Sequence, residues 1–309
     1  MLQGKLRKIL IFQFCFCTHE VKTAFMTIVT RFAPSPTGYL HVGHAYSASL
    51  AYQKAKGAGG RFILRMEDID GTRCRAEFED AIFEDLAWIG LEWEQPVRRQ
   101  SEHLDDYAAV LERLFAQELI YPCFCTRKEI AAEIARSHSA PHGPDGPLYP
   151  GTCKELSADE REANFSKGLP YALRLDMSKA LDKADVSSLY FEELDKGFIQ
   201  CDPERFGDVV LARKETPTSY HLAVTLDDAL QGVSLVVRGQ DLFEATHLHR
   251  LLQHLLALPT PKYLHHGLVS DIKGRRLAKR DKSATLKDMR ENGYSPEDIR
   301  KLIGFSVKY

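Results

Sequence analysis

No run in this 309-residue chain reaches the roughly 18 apolar residues that a membrane-spanning helix needs. Charge of one sign is not in excess either. Lys and Arg number 41 against 43 Asp and Glu, a formal net charge of −2, so any nucleic-acid contact has to come from a local basic patch. There is no internal repeat and no low-complexity segment, which excludes solenoids and extended disordered arrays. The 7 cysteines are odd in number and not spaced like a secreted disulfide scaffold. A chain of this length can bury a sizeable core without such staples. Lys5, Arg7 and Lys8 precede the apolar run Ile9–Cys17, a loose imitation of an export signal, but no small-residue cleavage site follows. Residues 1–26 are therefore expected to be an upstream extension or disordered tail ahead of Met26, and the protein to be cytoplasmic, with no membrane partner, and monomeric.

What is present is an alternation of strand and helix patterns, the mark of an α/β fold. Thr27–Phe32 reads as a strand and His44–Lys56 as a helix closed by Gly57, Gly59 and Gly60. Arg61–Met66 reads as a second strand, and Ala76–Trp88 and Leu104–Gln117 as amphipathic helices. A short helix around Lys128–Ala135 precedes the Pro-, Gly-, Ser- and His-rich stretch Ser137–Gly151, a loop or inserted module. Tyr171–Asp176, Phe206–Arg213, Thr218–Thr225 and Leu235–Arg238 read as strands. Leu242–Leu256 reads as a helix, and Thr285–Ile303 as two short helices around the turn Asn292–Gly293.

The most informative run is Arg31-Phe32-Ala33-Pro34-Ser35-Pro36-Thr37-Gly38-Tyr39-Leu40-His41-Val42-Gly43-His44. A strand enters a loop stiffened by two prolines and opens onto a helix, whose N-terminal amides are a seat for phosphate. Gly43 leaves room for a base to approach the backbone. His41 and His44, three residues apart, can donate hydrogen bonds to phosphate oxygens as charge develops. Far downstream, the basic run Arg275-Arg276-Leu277-Ala278-Lys279-Arg280-Asp281 offers a second set of cations. The segment Arg65-Met66-Glu67-Asp68-Ile69-Asp70 places acids at the C-terminal end of a strand, where open α/β sheets bind ligands.

Together these runs resemble class I aminoacyl-tRNA synthetases, in the form carried by the glutamate and glutamine enzymes. The His41–His44 run is similar to the HIGH signature, and the later run to the KMSKS loop, with Lys279 at the lysine that stabilises the transition state. Two departures stand out: Arg276 occupies the place of the first lysine and Ala278 that of a small hydroxyl residue. The resemblance implies a Rossmann-like parallel sheet over about residues 27–282, with an inserted zinc module at about 120–205. A short helical remnant follows at 283–309. It also implies ATP with Mg²⁺ at His41, Gly43, His44 and Lys279, and catalysis by His41, His44 and Lys279. The glutamate pocket it implies consists of Arg31, Phe32, Ala33, Pro34, Ser35, Glu67, Tyr220 and Arg238. Outside the resemblance, Tyr220 would pass for a half-buried strand aromatic and Arg238 for a surface residue.

Cys123-Phe124-Cys125 and Cys153 gather three thiols on a short stretch, and Tyr149, His138 and His142 lie close enough to compete as a fourth ligand. Buried free cysteines are the plain alternative. The resemblance favours one zinc held by Cys123, Cys125, Tyr149 and Cys153, since some relatives use a tyrosine in this spacing. The short architecture and the altered late loop resemble a truncated branch of the family that glutamylates queuosine at the wobble position of tRNA(Asp). That branch implies glutamate activation to glutamyl-AMP without tRNA, followed by transfer to queuosine. The alternatives are a truncated synthetase charging tRNA(Glu) and a non-catalytic tRNA-binding paralogue.

Overall fold

The computed structural model describes residues 27–136, 142–267 and 284–304. The elements run β1 (Val29–Phe32), α1 (Val42–Gly57), β2 (Arg61–Met66), α2 (Ala76–Trp88), β3 (Glu94–Arg99), α3 (Leu104–Ala116), β4 (Ile120–Cys123) and α4 (Arg127–Arg136). Next come β5 (His142–Gly143), β6 (Gly146–Pro147), α5 (Ala158–Ser166), β7 (Ala172–Leu175), α6 (Met177–Ala184), β8 (Tyr190–Glu193), β9 (Gly197–Gln200) and β10 (Val210–Ala212). The last stretch holds α7 (Tyr220–Leu230), β11 (Leu235–Gly239), α8 (Ala245–Leu255), β12 (Lys262–His266), α9 (Leu286–Glu291) and α10 (Pro296–Leu302).

β1, β2 and β3 are parallel neighbours in the order β1-β2-β3, and β11 pairs in parallel with β12. The two pieces meet where the Ser234 amide donates to the Val29 carbonyl at 3.0 Å and the Val29 amide to Ser234 Oγ at 2.9 Å. The strand order thus reverses at β1 and β11, the switch point at which open sheets of this kind bind nucleotides. β12 continues in parallel to β8, which carries β9 as an antiparallel edge.

Period-2 alternation sends neighbouring strand residues to opposite layers. Phe62 and Leu64 join Ala45, Ala48, Tyr52, Leu86, Leu286 and Ile299 in one core. Ile63 joins Val29, Tyr107, Leu111, Leu222 and Leu248 in the other. In α1 the fully buried face consists of Ala45, Ala48, Ala51 and Ala55, small residues that let the helix lie close to the sheet. A smaller antiparallel sheet, β10-β7-β4, turns Ile120, Leu175 and Leu211 into the second core, while Tyr121 and Cys123 of β4 form a separate cluster with Cys153.

The expected α/β fold with a parallel sheet is the one observed. One expected strand is a helix: Thr218–Thr225 turns at Ser219, whose hydroxyl caps α7 by accepting from the Leu222 amide. All residues from Leu222 to Asp228 are buried, so no polar face exists to reveal a helical period. The expected helix Leu242–Leu256 also starts later, at Ala245, after a single 3₁₀ turn over Gln240–Leu242. The expected strand Phe206–Arg213 is extended only over β10, and strands β3, β4, β5, β6, β8, β9 and β12 escaped the pattern reading, β3 and β4 because Pro96 and Pro122 interrupt them. Among the described residues no helix is long and apolar enough to cross a membrane.

Candidate functional site

β1 delivers the chain into the loop at 33–40, and two backbone bonds pin that loop. The Glu67 amide donates to the Pro34 carbonyl and the Arg75 amide to the Pro36 carbonyl, each at 3.0 Å. α1 then begins under a reciprocal cap. The Gly43 amide donates to His41 Nδ1 at 3.1 Å, and the His41 amide donates to His44 Nδ1 at 3.2 Å. The two imidazoles stack with centroids 3.8 Å apart. Because both Nδ1 atoms accept, each neutral ring carries its proton on Nε2, the form that donates to a phosphate oxygen. Gly43 has a steric role too, since a Cβ there would lie 3.0 Å from His41 Cε1 and 3.1 Å from His41 Nδ1.

A cleft of about 970 Å³ opens at the C-terminal ends of β1 and β11. Of the residues expected for ATP and glutamate, Arg31, Phe32, Ala33, Pro34, Ser35, His41, Gly43, His44, Glu67, Tyr220 and Arg238 all line it. Lys279, with Arg276 and Ala278, lies outside the described residues. The described residues flanking that stretch border the cleft: His266 lines it, and Thr285 forms a bridge with His41.

Beneath the cleft lies a buried ionic network that the sequence reading missed. Asp228 accepts from Arg31 Nε at 3.0 Å, Arg31 Nη2 at 3.4 Å and Arg65 Nη2 at 2.8 Å. Arg65, fully buried, also donates to Glu67 at 3.3 Å and to Gln231 at 2.9 Å. Next to Asp228, Asp227 accepts from Arg98 at 2.8 Å, Gln100 at 2.9 Å and the Tyr107 hydroxyl at 2.8 Å. Burial pushes the Glu67 carboxyl up, with Arg65 and Arg31 offsetting part of the rise. Burial acts on Asp228 in the same sense, but Arg31 and Arg65 overcome it and hold this carboxyl below its ordinary range. A charged residue inside the buried run Ile63-Leu64-Arg65-Met66 was the available signal for the network.

Arg238 is surrounded differently. It is 5% exposed, and among the described residues its partners are neutral. Nε donates to His265 Nε2 at 3.0 Å, Nη2 to Thr246 Oγ1 at 2.7 Å, and Nη1 faces His249 Nδ1 at 3.3 Å. His265 Nδ1 contacts the Glu193 carboxylate at 2.6 Å. Burial pushes His265 down to about 2, and Arg238 adds to that, so the ring stays neutral and accepts.

At the end of β4, Cys123 and Cys125 meet Cys153, with the three sulfurs within 4.8 Å of one another. The Tyr149 hydroxyl lies 3.4 Å from the Cys123 sulfur and 3.5 Å from the Cys125 sulfur. A tetrahedral zinc with metal–sulfur bonds of ~2.3 Å holds its sulfurs about 3.8 Å apart, and Cys125 and Cys153 stand at 3.3 Å. Burial pushes the Cys125 thiol up to about 12 and raises the Tyr149 phenol as well. Burial acts on Cys153 in the same sense, but hydrogen bonds with Tyr149 and Cys125 hold this thiol below its ordinary value, and a bound dication would have to displace the protons that Cys125 and Tyr149 keep. Of the competing ligands, His142 is exposed on β5 and outside this cluster, while His138 lies outside the described residues.

The family described as tRNA synthetases class I (E and Q), catalytic domain, matches residues 27–307. The glutamyl-Q tRNA(Asp) synthetase of Rhodobacter capsulatus is 50% identical over 286 residues, which cover 90% of this chain and 100% of that one. The glutamate–tRNA ligase of Aquifex aeolicus is 36% identical over 88% of this chain and 55% of its own length. Among solved structures, a glutamate tRNA ligase from Elizabethkingia meningosepticum in complex with its amino acid superposes with a TM-score of 0.76. Its identity is 27%, and the match covers 92% of this chain and 61% of that one.

Proposed function

Since the chain belongs to the class I tRNA synthetase family of the glutamate and glutamine enzymes, on the branch of the glutamyl-Q tRNA(Asp) synthetases, we propose that it activates glutamate with ATP and passes it to queuosine in tRNA(Asp). The observation that carries this reading is the convergence, at the sheet's switch point, of a phosphate seat and an amino-acid pocket in one cleft. Identity of 50% to the queuosine-modifying relative, against 36% to the tRNA ligase, supports the acceptor.

In the first step the glutamate α-carboxylate attacks the ATP α-phosphate in line, and pyrophosphate leaves with the bonding pair. Nε2–H of His41 and His44 and the first amides of α1 meet the charge that builds on the phosphate oxygens. Lys279 supplies a further cation to the same oxygens, and Mg²⁺ accompanies ATP. Arg31 and Arg238 grip carboxylates, and Glu67 receives the substrate ammonium. In the second step a hydroxyl of the queuosine ring attacks the carbonyl of glutamyl-AMP, loses its proton and expels AMP. Cys123, Cys125, Cys153 and Tyr149 would hold one zinc, whose chemistry there is structural, fastening β4 to the segment that follows β6.

Glutamate-dependent ATP–pyrophosphate exchange on the purified protein without tRNA tests the first step. Transfer of labelled glutamate to queuosine-containing tRNA(Asp), with queuosine-free tRNA(Asp) and tRNA(Glu) as comparisons, tests the second. Exchange that needs tRNA, or transfer to tRNA(Glu), would overturn the proposal in favour of a tRNA-charging synthetase.

A further inference from the structure

The neutral surroundings of Arg238 continue beyond the pocket. An arginine has donors only, so His249 Nδ1, 3.3 Å from Arg238 Nη1, has to accept. A neutral His249 then carries its proton on Nε2 and gives it to His221 Nδ1 at 3.1 Å. His221 therefore bears its own proton on Nε2, which faces Asp145 Oδ2 at 3.0 Å. One direction of donation satisfies all four groups. The reverse direction would set a His249 N–H against an arginine N–H. Burial pushes His249 well below the ordinary histidine range, and Arg238 adds to that, which keeps the ring neutral. The Tyr220 ring, which lines the cleft, packs against both imidazoles with centroids at 5.4 and 5.7 Å.

From this geometry we infer that His221 and His249 are positioning residues for glutamate, and that a proton-ordered chain from Asp145 through both imidazoles sets the plane of the Arg238 guanidinium. Asp145 sits in the turn between β5 and β6, in the segment between the zinc-ligand candidates. Its carboxylate is 57% exposed, whereas the His221 side chain is 15% exposed and His249 is 3% exposed. The chain thus runs from the surface of the inserted segment to the floor of the amino-acid pocket. His265 and Thr246 accept from Nε and Nη2, which leaves one N–H on Nη1 and one on Nη2 of the five donors for a ligand. Three acceptors in fixed directions define a plane, and all three are neutral, so the positive charge is left for a substrate carboxylate. The inserted hairpin and the glutamate pocket are linked by this route.

The inference rests on the reading that Arg238 grips glutamate, and the experiment separates the two. KM for glutamate and for ATP, and kcat, are measured by pyrophosphate exchange on the full chain, with thermal melts as a check on folding. His249→Leu removes both hydrogen bonds, and glutamate KM should rise about tenfold while kcat and ATP KM stay within about twofold. His249→Gln keeps an acceptor toward Arg238 and a donor toward His221, and should recover most of the loss. Asp145→Ala should raise glutamate KM about threefold alone and add nothing to His221→Phe, as members of one chain are not additive. This second pair decides the matter if His249→Leu does not fold. Unchanged glutamate KM in folded His249→Leu and His221→Phe, or additive effects of Asp145→Ala and His221→Phe, would overturn the chain. Arg238→Lys is the reference. If it leaves glutamate KM unchanged, the pocket reading and the inference both fall. If it raises KM while the other variants do nothing, the inference alone falls.

Discussion

Asp228→Asn is the sharpest perturbation of the pocket floor, because one carboxylate there receives three guanidinium contacts. Arg31 donates at 3.0 and 3.4 Å and Arg65 at 2.8 Å, and all three side chains are buried. Arg31, Arg65 and Arg98 carry three positive charges, matched by Glu67, Asp227 and Asp228. Neutralising Asp228 leaves a net buried cation and turns an amide N–H₂ toward one of the arginines. Removing one partner of a buried pair costs about 3–5 kcal/mol, and the oxygen that asparagine keeps places this case near the lower end. For a chain of 309 residues that corresponds to a fall of about 5–8 °C in Tm. Arg31, no longer oriented, should raise glutamate KM at least about tenfold while ATP KM is little changed. The pH dependence has a defined sign. Asp228 is held below its ordinary range, so its contribution is present above the unfolded-state value of about 3.9 and is lost only as pH falls through the lowered folded value. The Tm gap between the parent chain and the variant should be flat from about pH 6 to 8 and close only at strongly acid pH. Thermal melts across pH with pyrophosphate exchange measure both effects. A Tm loss under about 2 °C with unchanged glutamate KM would show that Asp228 does not hold the two arginines.

Gly43→Ala should displace the His41 imidazole, since the added carbon would sit 3.0 Å from its Cε1. Exchange kcat should drop about 10- to 100-fold with little loss of Tm, and an unchanged kcat would remove His41 from the phosphate site. Cys153→Ser should release one zinc per chain, read by elemental analysis, together with a clear loss of thermal stability. Metal-free parent protein with the same Tm would dismiss the site. The Glu67 carboxyl is raised by burial, so the ionised form, which on the proposed reading binds the substrate ammonium, is lost at higher pH than for an ordinary glutamate. Glutamate KM should therefore climb as pH is lowered from 8 toward about 5, and Glu67→Gln should start from a higher KM and flatten that limb. A wild-type limb that survives in Glu67→Gln would assign the titration to another group.

The parallel half of the fold was legible because its strands are short apolar runs and its helices have two distinct faces. Arg61–Met66 and Ala76–Trp88 were placed to the residue. Legibility failed where burial is complete. α7 has no polar face, and its start is marked only by Ser219. β12 carries Lys262, His265 and His266, polar residues that pattern reading assigns to loops, yet it lies between β11 and β8. At the site, the residues in contiguous runs such as Arg31–His44 could be found from sequence. Asp228 and His249 could not, since their partners Arg31 and His221 are far away along the chain. Arg238 is an intermediate case: its place in the strand was legible, but its burial and its neutral partners needed the structure.

If Arg31 and Arg238 hold glutamate as proposed, the contrast between them gives a physical reason for glutamate over glutamine, which residue spacing could not provide. Arg31 already has Asp228 as counter-ion, so its corner of the pocket is electrically balanced before any ligand arrives. Among the described residues Arg238 is a buried cation with neutral hydrogen-bond partners, and the Glu193 carboxylate reaches it through His265. On the proposed reading, a ligand carboxylate placed on Arg238 supplies the missing charge, and a carboxamide in that position supplies only an oxygen. The buried cation would then stay uncompensated, and its desolvation cost falls on glutamine and not on glutamate. Selection on this account comes from what the pocket leaves unpaired, so any change that brings a carboxylate to Arg238 from within the protein should erode it.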